Sequence, residues 1–257
     1  MINSRVNRTP STAVRRNLRR EVNFGCPVPD GEERCGNPYL TWHHFDPPWS
    51  VRQHHDPSGM IALCRMHHDK ADAGAYTKEQ LIAFKNADGS KEVVGRFDWM
   101  RRNLLVSAGR IVSCKARTLE IKGRPVIWAN RDLDGNFLLN VKLPDKAGKS
   151  RLLLEDNFWR LIGDPTDFEC PPHGRLISVT YPDGDHLRIE FNEACDRTAL
   201  AALLPNGTEF EKLAFPILVA SVQLTIAWAG IRLDDSGIHL GNRHVNSGRI
   251  YGSVRIE

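Results

Sequence analysis

The sequence predicts an α+β protein with two parts, a small loop-rich N-terminal module and a predominantly β C-terminal domain. Six of the ten histidines and three of the six cysteines fall between positions 26 and 68, in a segment interrupted by proline and glycine. Beyond about residue 110 the chain changes to short alternating runs separated by turn signals, which is typical of antiparallel strands. We therefore expect a module at residues 1–90, a connecting segment at 91–110 and a β-rich domain at 111–257.

The composition is that of a globular protein, with 41% hydrophobic and 26% charged residues, and it excludes disordered and collagen-like chains. The start of the sequence lacks the apolar stretch of a secretory signal, so we expect a cytoplasmic protein whose cysteines are thiols or metal ligands. Residues 215–231 are nearly long enough to span a bilayer, but polar residues interrupt them and β-branched residues are frequent. This stretch therefore predicts buried strands, and we expect no membrane partner.

The positive charge of the chain is concentrated near its start. Residues 1–110 carry 17 Lys and Arg against 12 Asp and Glu, although the net charge of the whole chain is only +4. Val14, Leu18 and Val22 recur at every fourth position and predict a first helix that begins near Ser11 or Thr12. Most of the neighbouring arginines lie off this apolar stripe: Arg15, Arg16, Arg19 and Arg20. Such a cluster suits the phosphates of a nucleic acid, and the alternative is an ordinary solvated helix face.

The next segments supply a plausible set of zinc ligands, Cys26, Cys35, Cys64 and His67. The first two residues lie in a loop rich in proline and glycine, and the last two follow the short apolar run "GMIALC" as a Cys-x-x-His pair. A small loop-rich module needs a covalent or metal cross-link, and a structural zinc would supply one. The gap of eight residues between Cys26 and Cys35 is wider than the usual ligand spacing, and two buried free thiols are the alternative.

A second group of ligands remains after the zinc set is complete. The run "YLTWHHF" alternates like a short strand ended by two prolines, and His43 and His44 lie near its end. His68 and Asp72 are spaced i, i+4 in "MHHDKAD", so they share one face of a helix. Two imidazoles from a strand end, with an imidazole and a carboxylate from a helix, predict an open site for a divalent cation.

The order of these residues resembles the HNH family of endonucleases, also called ββα-metal nucleases. The similar stretches are "CGNPYLTWHHFDP" and "GMIALCRMHHDKAD", preceded by the basic segment "RRNLRREVNFGC", and the resemblance covers roughly residues 12–86. It implies a strand that ends in the histidine pair, a second strand, and a helix that carries the last ligands. It also implies a structural zinc beside the nuclease motif.

The resemblance assigns a role to each residue of the second group. It implies that His43 binds a catalytic cation, that His44 is the general base, and that His68 and Asp72 hold or support the metal. Where many members have His or Asn at the last position, this chain has Asp72, which is a good ligand for Mg²⁺ or Mn²⁺.

The chain departs from the family at the central asparagine of the motif, which should fall near Gly59. Ser58 or Asp56 is expected to take over its role in tying the loop. We expect the nearby His54 and His55 to be solvent-exposed loop residues.

The resulting hypothesis is a metal-dependent HNH endonuclease that hydrolyses DNA, with a structural zinc and a catalytic Mg²⁺, Mn²⁺ or Ni²⁺. Restriction or anti-phage defence is the context that the resemblance suggests. The β-rich domain would serve targeting, regulation or homo-oligomer assembly. A non-catalytic zinc-stabilised nucleic-acid-binding protein is the alternative, and a sensor or interaction protein built on the β domain is a third interpretation.

Overall fold

The computed structural model describes residues 7–87, 92–113, 117–204, 213–245, 250–251 and 254–256. The fold is mixed α+β with a majority of strands, 43% strand and 18% helix, and its C-terminal part is β-rich as predicted. The chain divides into two compact units. The N-terminal unit comprises Met1–Val94 and Asp167–His173, and the β unit comprises Gly95–Thr166 and Gly174–Glu257.

These boundaries differ from the predicted ones in two places. Residues 91–110 were expected to be a connecting segment, but Leu104–Ala108 forms a strand inside the largest sheet of the β unit. Asp167–His173 belongs to the N-terminal unit although it is remote from that unit in sequence. Neither difference could be predicted from the local sequence, because both depend on contacts between residues that are far apart in the chain.

The N-terminal unit begins with helix α1 (Thr12–Glu21), followed by the strands β1 (Pro29–Asp30), β2 (Glu33–Arg34), β3 (Leu40–His44) and β4 (Met60–Cys64), then α2 (Arg65–Asp72) and α3 (Lys78–Asn86). Strands β1 and β2 form an antiparallel hairpin, and β3 pairs antiparallel with β4. Ser11 caps α1, as predicted, because its side chain accepts from the backbone nitrogen of Val14. At the start of α3, Thr77 forms a capping box with Gln80.

The core of this unit explains why "GMIALC" is continuously apolar. Strand β4 is buried along its whole length between the helices and β3. The core is formed by apolar residues of α1, α2, α3, β3, β4 and the adjoining loops: Leu18, Val22, Val28, Leu40, Phe45, Met60, Ile61, Ala62, Leu63, Ala71 and Leu81. Because β4 is packed along its whole length, α2, which starts directly after it, is held in a fixed position at its first residue.

The later elements follow in the chain order β5 (Val94–Arg96), β6 (Leu104–Ala108), β7 (Ile111–Ser113), β8 (Arg117–Ile121), β9 (Arg124–Arg131), β10 (Phe137–Pro144), β11 (Ser150–Glu155), β12 (Phe158–Leu161), β13 (Asp167–Glu169), β14 (Leu176–Thr180), β15 (His186–Ala194), α4 (Arg197–Leu203), β16 (Ile217–Ile226), β17 (Ile231–Asp234), β18 (Gly237–Leu240), β19 (Arg243–Val245), β20 (Ile250–Tyr251) and β21 (Val254–Ile256). Strand β13 belongs to the N-terminal unit.

Two sheets build the β unit. One has the order β21-β8-β9-β10-β11-β12-β5, and the other contains β14 to β19 in sequence order, with β6 joined in parallel to β16. The turn signals at Asp134-Gly135 and Asp183-Gly184 are confirmed, since they connect β9 to β10 and β14 to β15. The apolar stretch near residue 215 forms the buried strand β16, as predicted. Among the described residues, no helix has the length and apolar character needed to cross a membrane.

Candidate metal centres

Three cysteines and a histidine meet between the first helix, the first hairpin and β4. Cys26 follows α1, Cys35 follows β2, Cys64 ends β4, and His67 lies in the first turn of α2. The β1–β2 hairpin turns the chain back on itself, and the backbone nitrogen of Cys35 donates to the carbonyl of Val28 over 2.8 Å. This return explains how two cysteines with an unusually wide spacing reach the same point.

The ligand atoms of this cluster have the separations that zinc requires. Sγ of Cys26 and Sγ of Cys64 each lie 3.3 Å from Nδ1 of His67, and Sγ of Cys35 lies 4.0 Å from Sγ of Cys64. All four ligand atoms lie within 4.8 Å of one another. Tetrahedral zinc, with Zn–S of about 2.3 Å and Zn–N of about 2.0–2.1 Å, separates its ligands by roughly 3.5–3.8 Å. The four residues predicted as a zinc site can therefore hold a metal such as zinc.

The thiols of this cluster shift one another's pKa values. A hydrogen bond from Cys26 lowers the pKa of Cys64 to about 5, and the neighbouring His67 acts in the same direction. The same hydrogen bond and burial raise the pKa of the Cys26 thiol. Burial also raises the pKa of Cys35. The thiolate is the form of cysteine that binds a metal. A bound cation would therefore displace the thiol protons and offset the repulsion between the closely spaced thiolates.

The second group of predicted ligands also comes together. Nδ1 of His43 lies 3.0 Å from Oδ1 of Asp72, and Nε2 of His68 lies 3.8 Å from the same oxygen. The rings of His43 and His68 meet edge to face with their centroids 5.3 Å apart. The three ligand atoms all lie within 4.8 Å of one another, so these residues can hold a metal ion. Asp72 is 53% exposed, which leaves one side of the group open.

Local structure explains the convergence of these three side chains. His43 lies opposite Ile61 in the β3–β4 pair, and α2 starts directly after β4, so the helix packs beside the end of β3. Burial lowers the pKa of His43, and the charge of His68 adds to this effect while Asp72 opposes it. Burial also lowers the pKa of His68. Both imidazoles are therefore neutral at neutral pH, which is the state that binds a metal.

His44 lines the same cleft as this ligand group and is surrounded by a cage of three rings. Its ring centroid lies 4.7 Å from that of Trp49, 5.2 Å from that of His54 and 5.8 Å from that of His55. Burial lowers the pKa of His44 to about 4, and the charges of His54, His55 and Arg8 act in the same direction. Nε2 of His44 is buried and has no hydrogen-bond partner among the described residues. An unprotonated imidazole beside a ligand group is able to accept a proton.

The prediction for the two loop histidines is wrong. His54 and His55 were expected to be solvent-exposed, but both are half-buried against His44. The backbone nitrogen of Asp56 donates to Nδ1 of His54 over 3.1 Å, and Nε2 of His54 donates to the carbonyl of Pro47 over 2.9 Å. His54 therefore links the start of the loop between β3 and β4 to its end.

Steric contacts explain why residue 59 is a glycine, at the position where the HNH motif has its central asparagine. A Cβ atom at Gly59 would lie 1.8 Å from the carbonyl oxygen of Asp46 and 3.0 Å from Cε1 of His54. The backbone nitrogens of Phe45 and Asp46 both donate to the carbonyl of Gly59. Beside it, Oδ1 of Asp56 accepts from the nitrogen and hydroxyl of Ser58, so the loop is tied by groups other than an asparagine at this position.

The predicted DNA-binding arginines are mostly occupied by carboxylates of the same unit. Arg19 is 3% exposed and donates three hydrogen bonds of 2.8–3.1 Å to the carboxylate of Asp167. Arg16 also donates to Asp167, and Arg15 lies 3.7 Å from Glu169. The expectation that Arg19 holds a phosphate is therefore wrong, because its guanidinium is buried and paired.

Arg20 is the member of the cluster that fits the original expectation best. Its side chain is exposed, and it forms no ion pair with any residue in the described ranges. The remaining three arginines contribute to holding Asp167–His173 against α1 instead.

An open cleft of about 460 Å³ joins the ligand group to the cage around His44. Its lining includes His43, His44, His68, Asp72, Trp49, Arg8 and Lys78. The sequence did not single out Trp49 or Arg8. Trp49 carried a weak signal, since it follows the histidine pair and two prolines. Arg8 carried none that separated it from the other arginines near the start of the chain.

Comparison with known proteins gives no independent assignment. No family model matches the chain, and neither the curated proteins nor the solved structures contain a match.

Proposed function

We propose that the protein is a metal-dependent endonuclease of the HNH type that hydrolyses phosphodiester bonds of DNA. One observation carries the proposal. An antiparallel strand pair followed directly by a helix brings His43, His68 and Asp72 together at an open cleft, with an unprotonated His44 beside them. A strand–strand–helix order with these residues in these places is what the sequence resemblance implies for a ββα-metal nuclease.

The ligand group suits a divalent cation that has other ligands as well. Two imidazoles and one carboxylate leave coordination positions for water and phosphate oxygen, and the mixed set fits Mg²⁺, Mn²⁺ or Ni²⁺. The separation of 3.0 Å between His43 and Asp72 is close to the roughly 2.9 Å between adjacent ligands of an octahedral Mg²⁺. When bound, the cation would supply positive charge for the phosphate and for the leaving oxygen.

His44 supplies the proton transfer that hydrolysis needs. With a pKa held at about 4 by burial and neighbouring charges, its imidazole is unprotonated at neutral pH and can take a proton from the attacking water. An anionic phosphate in the cleft would favour the protonated ring and so raise this pKa towards neutrality. The ring cage around His44 limits its rotation, which keeps the accepting nitrogen in one position.

The zinc cluster (Cys26, Cys35, Cys64 and His67) and the β unit have supporting roles in this proposal. The zinc would fix the start of α2, because Cys64 and His67 lie at the junction of β4 and α2. We assign targeting, regulation or self-assembly to the β unit as a class of roles, and the defence context rests on the family resemblance alone.

The test is cleavage of supercoiled plasmid by the full chain with Mg²⁺, Mn²⁺ or Ni²⁺. We expect His44→Ala to reduce the cleavage rate by about 10²- to 10⁴-fold, the usual range for loss of a general base. Asp72→Asn should also reduce the rate, whereas Asp69→Asn should not. Asp69 is the matched control, since it lies on the same helix in an exposed ion pair with Arg65.

Two results would argue against the proposal. Equal cleavage by the wild type and His44→Ala would remove the assignment of the base. DNA binding without cleavage under any of the three metals would favour the non-catalytic nucleic-acid-binding protein instead.

A further inference from the structure

The segment before α1 carries an arginine into the cleft. Oδ1 of Asn7 accepts from the backbone nitrogen of Thr9 over 3.0 Å, which forms a turn around Arg8, and the following Pro10 is buried. Arg8 lines the cleft together with His44 and His68.

Arg8 differs from the other cation of the cleft. Nζ of Lys78 lies 2.6 Å from Oδ2 of Asp46, so its charge is already balanced. Arg8 is exposed and forms no ion pair with any residue that the structure describes. A planar guanidinium with available donors matches two oxygens of a phosphate group.

A histidine of the cage holds this segment in place. Nε2 of His55 lies 2.7 Å from the carbonyl oxygen of Asn7, and because a carbonyl only accepts, the imidazole donates through Nε2. The His55 ring is itself fixed, since it stacks on Trp49 with a centroid separation of 5.4 Å and an interplanar angle of 29°. The residue before Arg8 is thereby joined to the loop beside His44.

We propose that Arg8 binds a phosphate group of DNA in the cleft and that His55, through the Asn7 carbonyl, holds Arg8 there. The choice of DNA as the source of the phosphate rests on the proposed function. Arg8 is then a binding residue, and His55 is a positioning residue that acts on DNA through Arg8. The arginines of α1 do not provide this contact, because Asp167 and Glu169 occupy most of them.

The experiment measures affinity for a short duplex DNA as a function of salt concentration, in an Asp72→Asn background that is expected not to cleave. Arg8→Ala should weaken binding about tenfold to a hundredfold, the range for one charge-assisted hydrogen bond. It should also reduce the slope of log affinity against log salt by about 0.9, the value for one lost phosphate contact. Arg8→Lys should keep the slope and lose part of the affinity, because it retains the charge without the planar fork. Arg52→Ala is the control, an exposed arginine of the loop between β3 and β4 that does not line the cleft.

His55 is tested by two substitutions and a double-mutant cycle. His55→Leu removes the donor to Asn7 and should reproduce the loss of affinity and slope seen in Arg8→Ala, whereas His55→Gln keeps an amide donor near Nε2 and should bind like the parent. If His55 acts through Arg8, the double variant of Arg8→Ala and His55→Leu should bind no more weakly than Arg8→Ala alone. Thermal melts of each variant separate a loss of contact from a loss of fold.

Each outcome separates this inference from the proposed function. An unchanged salt slope in Arg8→Ala would overturn the phosphate contact, and additive losses or no loss in His55→Leu would overturn the positioning role. If these variants behave as expected but the wild type cleaves no DNA with any metal, the inference stands and the nuclease assignment fails. If the parent binds no DNA at any salt concentration, both fail.

Discussion

Removal of the Arg19 side chain should destabilise the N-terminal unit and leave DNA affinity nearly unchanged. The side chain of Arg19 is only 4% exposed, and its bidentate partner Asp167 is 16% exposed. Its guanidinium also lies 6.0 Å from the centre of the Trp42 ring. Loss of one partner of a buried pair leaves the other charge without compensation and costs about 3–5 kcal/mol. Arg16 contacts the same carboxylate but is 54% exposed, so its loss should cost only about 0–1 kcal/mol.

The magnitude is large enough to measure directly. For a unit of roughly 100 residues, each kcal/mol lowers the melting temperature by about 4–8 °C, so Arg19→Ala should lower it by at least about 12 °C. Hydrogen exchange measured by mass spectrometry assigns the loss to the N-terminal unit, through peptides from α1 and from residues 167–173. Arg16→Ala serves as the matched control on the same helix.

A specific result would refute this reasoning. If Arg19→Ala left hydrogen exchange in α1 unchanged and reduced DNA affinity with a smaller salt slope, Arg19 would be a phosphate ligand as the sequence first suggested. Asp167→Ala adds an independent check, because it removes the same pair from the other side without removing a positive charge. Both substitutions should therefore destabilise the unit, although only one of them changes the charge available to DNA.

Two further predictions concern the zinc cluster and the loop glycine. The purified chain should contain about one tightly held zinc by elemental analysis. His44→Ala should retain this zinc and Cys64→Ala should lose it, and equal zinc content in the two variants would contradict the assigned ligands. Gly59→Asn, which introduces the asparagine of the HNH motif, should cost about 3 kcal/mol or more in urea unfolding because its Cβ meets the Asp46 carbonyl at 1.8 Å. Gly74→Asn should cost under about 1 kcal/mol, since Gly74 has open space and a φ of +78° that asparagine tolerates, and a similar cost for both substitutions would contradict the steric argument.

The order of elements around the two centres was predictable because it is local. The spacing of His68 and Asp72 fixes them on one helical face, and "GMIALC" is short and apolar enough to predict a buried strand. The turn signals of the β unit worked for the same reason, since a two-residue signal specifies a hairpin between neighbouring strands.

Features that depend on distant residues could not be predicted in this way. The partner of Arg19 lies 148 residues away in sequence, so the arginine cluster looked like a solvated or DNA-binding face. His54 and His55 occupy a loop that has no periodicity, and only the folded structure shows that they contact the ring of His44. The parallel pairing of β6 with β16 joins strands more than a hundred residues apart. For the arginine and the two histidines, a charged or polar side chain was expected to be exposed because its partner was not a sequence neighbour.

The two candidate centres share one helix, and this affects how metal experiments should be interpreted. His67 and His68 are adjacent in α2, yet His67 is buried in the cysteine cluster and His68 lines the cleft. Successive helical residues differ by about 100° in direction, so one turn of helix serves both groups. If zinc occupies the cysteine cluster, a chelator that removes it would release the start of α2 and displace His68 and Asp72 as well. Loss of cleavage after chelation therefore does not identify a catalytic cation. Restoration of cleavage by Mg²⁺ after zinc has been returned, together with its failure in Asp72→Asn, is the combination that assigns a metal to the cleft.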